Sequence, residues 1–252
     1  MARLNDKVVL ITGGASGLGK SGATLMNAEG AKVIISDINE DLGKATSAEI
    51  GDDVLFVHHD VSSLADWDRV IDLVIERFGR LDVLVNNAGI VVVADVENTT
   101  LNDWRAVHGV GTDGTFFGIQ KGIGVMRESG GGSIINMSSL AGLIGYPLIF
   151  AYSASKGAIR SMTKSAAVYC AQNSLGIRVN SIHPGTIATP MVAGFEADVE
   201  EQGEERVKLL LGEPDDVGHM MVYLASDESK FVSGSEFVID STASITEGIV
   251  PG

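Results

Sequence analysis

The chain has 252 residues, 45% of them hydrophobic and 20% charged, enough to bury a core without metals or disulfides and within the size of a single α/β domain. Its 18 basic and 33 acidic residues leave a net charge of −15, which argues against nucleic acid and anionic membranes as partners. Cys170 is the only cysteine, so an intrachain disulfide framework is excluded and a reducing compartment fits. With no leader-like start and no run of ~18 apolar residues, a cytoplasmic location is expected.

From Lys7 onward, short β-branched runs alternate with longer amphipathic stretches, the order that yields a parallel sheet with crossover helices. Strands are expected at 8–11, 31–36, 54–58, 83–85, 133–136, 177–181 and 236–239. These fit one α/β domain over 1–252, a doubly wound parallel seven-stranded sheet with helices on both faces. The first strand runs into Thr12-Gly13-Gly14-Ala15-Ser16-Gly17-Leu18-Gly19 and then a helical pattern over 20–29. Gly13, Gly17 and Gly19 let the backbone turn sharply and approach a pyrophosphate, which would sit on the helix N-terminus.

Asp37 ends the second strand, where a carboxylate can accept hydrogen bonds from the adenosine ribose hydroxyls. A 2′-phosphate would meet that negative charge with no cation beside it, so NAD is expected rather than NADP. Asp60-Val61 close the third strand, either within reach of an adenine amino group or as an ordinary strand-end turn. Trp67, Val70, Ile71, Val74, Ile75 and Phe78 then mark a helix that Ser62 or Ser63 can cap and Gly79 can end.

A longer helix is expected over 101–128, with Gly109, Gly111, Gly114, Gly118, Gly122 and Gly124 inside it. Each glycine costs about 1 kcal/mol relative to Ala, which implies close packing, with a self-association face as one candidate, or else an irregular helix. Tyr152 to Asn173 forms another helix, and Pro214 opens the last, which ends near Asp227. Between them the segment 189–211 breaks the rhythm with Glu196, Asp198, Glu200, Glu201, Glu204 and Glu205. Following the sixth strand at the ligand edge of such a sheet, it is expected to form a substrate lid. His58, His59, His183 and His219 show no metal-ligand spacing, so packing roles and no metal are expected.

Beyond the glycine turn the chain carries Asn86-Asn87-Ala88-Gly89 after the fourth strand, Ser139 after the fifth and Tyr152-Ser153-Ala154-Ser155-Lys156 on the next helix. Pro184-Gly185, with Thr189, follows on the sixth strand. In this joint order the sequence resembles the short-chain dehydrogenases/reductases in their single-domain, Rossmann-type form. The resemblance implies that Tyr152 takes the alcohol proton while hydride passes to the nicotinamide, that Ser139 orients the substrate oxygen, and that Lys156 holds the nicotinamide ribose. It implies further cofactor contacts from Ser16, Leu18, Val61, Asn87, Ala88, Gly89, Pro184, Gly185, Ile187 and Thr189, and assembly as a homotetramer or dimer. Elementary chemistry points the same way. Tyr152 and Lys156 lie four apart on one helix face, and an ammonium beside a phenol favours the phenolate that a general base needs.

Two positions depart from the family's pattern. Trp104-Arg105-Ala106-Val107-His108-Gly109-Val110-Gly111 places a glycine where the family carries a catalytic asparagine that links the lysine to solvent through water. Water in the vacated space or His108 could take over, and Gly111→Asn is expected to leave activity unchanged or raise it. The second departure is Asp240-Ser241-Thr242 in place of Asp-Gly-Gly, a tail that resembles hydroxysteroid dehydrogenases. Ala141, Tyr146, Met191 and Phe195 follow the catalytic strands as candidate walls of an apolar substrate pocket. The expected activity is therefore NAD-dependent interconversion of a hydrophobic cyclic, aromatic or steroid secondary alcohol and its ketone. A 3-oxoacyl-thioester reductase and a weakly catalytic NAD(H) sensor stand as alternatives.

Overall fold

Strand register follows directly from the alternation of side chains across the pleat. In a computed structural model, which describes residues 2–193 and 211–245, Val9 and Ile11 of the first strand enter one core while Val8 and Leu10 enter the other. Both faces of the sheet are thus apolar, the condition for a parallel sheet covered on each side. The strands are β1 (Val8–Thr12), β2 (Lys32–Asp37), β3 (Leu55–His58), β4 (Val83–Asn86), β5 (Gly132–Met137), β6 (Ile177–Pro184) and β7 (Glu236–Ile239). They pair in parallel in the order β3-β2-β1-β4-β5-β6-β7, the Rossmann-type sheet expected. The order reverses between β1 and β4, and a crevice opens beyond their carboxyl ends.

The helices are α1 (Gly17–Ala28), α2 (Glu40–Ile50), α3 (Leu64–Phe78), α4 (Leu101–His108), α5 (Gly114–Glu128), α6 (Phe150–Gln172) and α7 (Pro214–Ala225). Residues of α1 and α7 fill one core, and residues of α3, α5 and α6 fill the other. Of the two candidate caps for α3, Ser63 takes the role by accepting from Asp66 N, and Gly79 ends the helix at φ 74°. Helix α2 was not expected. Its buried residues are only Gly43, Thr46 and Ser47, so no apolar stripe announces it, and Gly43 lies so close to the Phe56 ring that a Cβ there would overlap it.

The long glycine-rich helix is interrupted. A five-residue π turn, Gly109–Asp113, separates α4 from α5, and such turns concentrate at functional sites. Three of the α5 glycines, Gly114, Gly118 and Gly122, face inward. A Cβ on Gly114 would stand 3.0 Å from Val61 Cγ2, one on Gly118 would meet the Asn86 amide and the Trp67 ring, and one on Gly122 would lie 2.9 Å from Leu84 Cδ2. Close approach of α5 to its own sheet and to α3 is what offsets the helix-propensity cost. No helix among the described residues is long and apolar enough to cross a membrane. Among them, no group of His, Cys, Asp and Glu could hold a metal ion.

Candidate active site

The crevice at the carboxyl edge is a cleft of about 560 Å³. Gly13, Ser16, Gly17, Leu18, Asp37, Asp60, Val61, Asn87, Ala88 and Gly89 line its nucleotide half. Ser139, Tyr152, Lys156, Pro184, Gly185, Ile187, Thr189 and Met191 line the rest. Gly19 stands behind the lining, where a Cβ would fall 2.2 Å from Gly13 O. Ala141, buried in a short 3-10 turn (Leu140–Gly142), and Tyr146, 38% exposed, lie outside the lining. Phe195 and most of the 189–211 segment lie outside the described residues. His59, Ile90, Val110, Met137, Pro190 and Val192 also face the cleft; Val192 was a candidate pocket wall in the sequence, and His59, Ile90 and Pro190 stand next to predicted site residues.

The turn after β1 is tied to the strand beside it. Thr12 Oγ1 accepts from Asn87 N at 3.0 Å and from Ala88 N at 3.1 Å, while Asn87 Nδ2 donates to Thr12 O and Gly13 O. Gly13 adopts φ +63°, and a Cβ on it would stand 2.9 Å from Ala88 Cα. Ser16 caps α1 only through its backbone, with no side-chain bond and no acidic residue in the first turn, so the first amides are free to face an anion. Asp37 holds its place by accepting from Ala15 N at 3.2 Å and Asn39 N at 3.0 Å. The cradle that a side chain would fill and the uncompensated amides fit a dinucleotide pyrophosphate. Asp60 spends Oδ1 on the Ser62 amide and hydroxyl, at 2.9 and 2.7 Å, the strand-end turn that was one of its two readings.

In the reacting half, Ser139 leaves β5 and starts the 3-10 turn with its Oγ accepting from Ala141 N at 3.1 Å. It also lies near enough to the Tyr152 phenol to lower that group's pKa. Lys156 is 3% exposed. Its Nζ donates to Met137 O at 2.8 Å and lies 5.3 Å from the centroid of the Tyr152 ring. Burial pushes the phenol up to about 12 against the Ser139 hydrogen bond that lowers it, and burial pulls the ammonium down to about 8. The depression of the phenol expected from Lys156 alone is therefore absent. Desolvation dominates both groups and favours their neutral forms.

His183, expected only to fill space, holds the catalytic-strand exit. Its Nδ1 lies 3.3 Å from Ser139 O, its Nε2 lies 2.8 Å from Ser181 Oγ, and it is fully buried. A carbonyl can only accept, so Nδ1 carries the proton and Nε2 accepts from Ser181. Ser181 is its neighbour two residues back on β6, but nothing local in the sequence signals the contact with Ser139, which lies in the loop after β5.

A strand–glycine turn–helix cradle beside a serine, a tyrosine and a lysine at the carboxyl edge of a doubly wound sheet defines a dinucleotide-dependent oxidoreductase site. The comparisons with known proteins agree. A family model described as enoyl-(acyl carrier protein) reductase matches residues 13–242. An NADP-dependent (R)-specific alcohol dehydrogenase of Lentilactobacillus kefiri is 47% identical over 244 residues, covering 94% of this chain and 96% of the relative. A 3-alpha-(or 20-beta)-hydroxysteroid dehydrogenase of Mycobacterium bovis is 44% identical, with 94% and 89% covered, and a cyclopentanol dehydrogenase of Comamonas is 43% identical, with 95% and 98% covered. The chain belongs to the short-chain dehydrogenase/reductase family, whose members are oxidoreductases that bind nicotinamide dinucleotides.

Proposed function

We propose that the protein is an NAD-dependent dehydrogenase that interconverts a hydrophobic cyclic, aromatic or steroid secondary alcohol and its ketone. The convergence of Ser139, Tyr152 and Lys156 beside a cleft whose second strand ends in Asp37 carries this reading. When bound, the nicotinamide supplies the hydride donor or acceptor and, in its oxidised form, a positive charge. Ser139 orients the substrate oxygen through its hydroxyl. In reduction, Tyr152 donates the phenolic proton to the carbonyl oxygen, a role for which a high pKa keeps the proton in place. In oxidation it must accept that proton, and positive charge drawn close to the phenol lowers the barrier to doing so. Lys156, anchored by Met137 O, is placed to supply part of that charge and to hold a ribose hydroxyl.

The preference for NAD rests on Asp37, since Lys156 is the only lysine or arginine among the described residues lining the cleft and it lies at the reacting end. A 2′-phosphate at the adenosine end would face the Asp37 carboxylate uncompensated. The NADP dependence of the Lentilactobacillus relative makes this the point to measure. Apolar lining from Ile90, Val110, Met191 and Val192, together with the steroid and cyclopentanol activities named for two relatives, supports a bulky apolar substrate. Assembly as a homotetramer or dimer in the cytoplasm belongs to the same reading. Exposed Phe116, Val168 and Tyr169 on the outer faces of α5 and α6 support self-association, and the buried, unpaired Cys170 supports a reducing compartment.

The test is turnover with NAD(H) and NADP(H) across cyclic alcohols, aryl ketones, hydroxysteroids and an acyl thioester. Oxidation of a cyclic or steroid alcohol with at least tenfold preference for NAD, about 1.4 kcal/mol, is the expected result. Preference for NADP, or turnover of the thioester alone, would overturn it.

A further inference from the structure

Gly111, where the chain leaves the family's pattern, lies buried in the π turn. A Cβ built there would stand 2.3 Å from Ser155 Oγ and 3.5 Å from Ser155 Cβ. A side chain at 111 would force the Ser155 hydroxyl out of this position. Ser155 is 1% exposed and precedes Lys156 on the turn of α6 that begins with Tyr152. Its hydroxyl accepts from Thr112 Oγ1 at 3.0 Å, and Thr112 Oγ1 is 2.8 Å from His108 Nδ1. The threonine has one proton to give, so with that proton on Ser155 the His108 ring must donate from Nδ1. His108 is held in turn by stacking on Trp104, with ring centroids 4.1 Å apart. Another flank of the same α6 turn is fixed by Ser138 Oγ, which donates to Lys156 O at 2.9 Å, and by Gly142, whose Cβ would lie 2.8 Å from the Lys156 carbonyl.

We propose that Ser155, seated in the space that Gly111 leaves and held through Thr112 by His108, is the positioning residue that registers Tyr152 and Lys156 against the π turn. Gly111 is then a requirement of this arrangement. An asparagine at 111 would displace Ser155, so Gly111→Asn lowers activity, the reverse of what the family's pattern alone suggests. This role rests on the alcohol–ketone chemistry proposed above.

The full-length Ser155→Ala, Thr112→Val, Gly111→Ala and Gly111→Ala/Ser155→Ala proteins separate packing from positioning. Two readouts are used: steady-state oxidation of a cyclic secondary alcohol by NAD, and titration of the Lys156 ammonium by NMR of isotope-labelled lysine, assigned with Lys156→Met. Ser155→Ala and Thr112→Val are expected to lower kcat about tenfold or more. They also raise the Lys156 midpoint above its value of about 8, because a loosened α6 admits water to the ammonium. Gly111→Ala loses thermal stability; the double variant regains it, because the two Cβ atoms would stand at ordinary contact distance, but keeps the displaced lysine titration. Wild-type kcat and lysine midpoint in both Ser155→Ala and Thr112→Val would overturn the assignment, as would a Gly111→Ala protein indistinguishable from wild type. The titration needs no substrate. A wild-type protein that oxidises none of the alcohols would therefore sink the functional reading while the lysine midpoints still decide the role of Ser155.

Discussion

In the nucleotide half of the cleft the backbone does the fitting, whereas in the reacting half side chains from distant elements have to meet. Residues 12–19 form one continuous turn, and its tolerances are steric, as the 2.2 Å between a Gly19 Cβ and Gly13 O makes plain. Ser139, Tyr152, Lys156 and His183 come from the β5 exit, α6 and β6, and the hydrogen bonds that Ser139, Lys156 and His183 make span 2.8 to 3.3 Å. A backbone cradle fails when an atom is added to it. A side-chain constellation fails when an atom is removed, and it fails in function before it fails in fold.

The largest effect is expected in the reacting half. Tyr152→Phe removes the proton-bearing oxygen and little else, so turnover in both directions should fall by about 10²–10⁴-fold, the usual contribution of a general acid/base. NADH binding, followed by fluorescence titration, should stay within about twofold, since the phenyl ring still lines the cleft. Residual activity near that of wild type would remove Tyr152 from the mechanism.

The opposite pattern is expected from Gly19→Ala. The added methyl meets backbone that is itself bonded to Asn87, so relief requires moving the turn, at about 1–3 kcal/mol. That corresponds to about ten- to a hundredfold in NADH affinity, while kcat at saturating cofactor changes little. Equal losses in kcat and affinity would show that the two halves are not separable. A subtler probe of the same half is Asp37→Ala combined with Ile38→Arg. Ile38 is 65% exposed at the cleft, and an arginine there can pair with a phosphate while the carboxylate is gone. The ratio of kcat/KM for NADP over NAD should rise about ten- to a hundredfold; an unchanged ratio would mean that Asp37 does not set the preference.

The same contrast explains what was legible in the sequence. The glycine turn, Asp37 and the seven strands are local patterns, and each was readable because its meaning lies within a few neighbouring residues. Tyr152 and Lys156 were readable for the same reason, being four apart on one helix. Helix α2 escaped because it buries Gly43, Thr46 and Ser47 rather than an apolar stripe. An irregular helix was one of the two readings of 101–128 and the π turn bears it out, whereas the fit of Ser155 against Gly111 and the grip of His183 on Ser139 escaped because they exist only where residues distant in sequence meet. Close packing of the α5 glycines was expected, but not its partners, which lie on β4, on α3 and at Val61 after β3.

Acid should weaken the fold partly through the nucleotide half. His59 is 1% exposed at the end of β3, with Nδ1 3.0 Å from Ser36 Oγ and its ring edge-on to Trp67. Burial holds it at about 4, below its ordinary 6.5. Above pH 6.5 the ring is neutral in both folded and unfolded chains and contributes no pH dependence. As pH falls from 6.5 to 4 the unfolded chain takes up the proton and the folded one resists, so stability drops over that window by at most about 3 kcal/mol. His183, also lowered by burial, acts in the same direction from the reacting half. Thermal midpoints of wild type and His59→Gln between pH 8 and 4 should therefore converge as pH falls, with His59→Gln the less stable at pH 8 yet the flatter curve. Curves that stay parallel would show that His59 does not carry the acid loss.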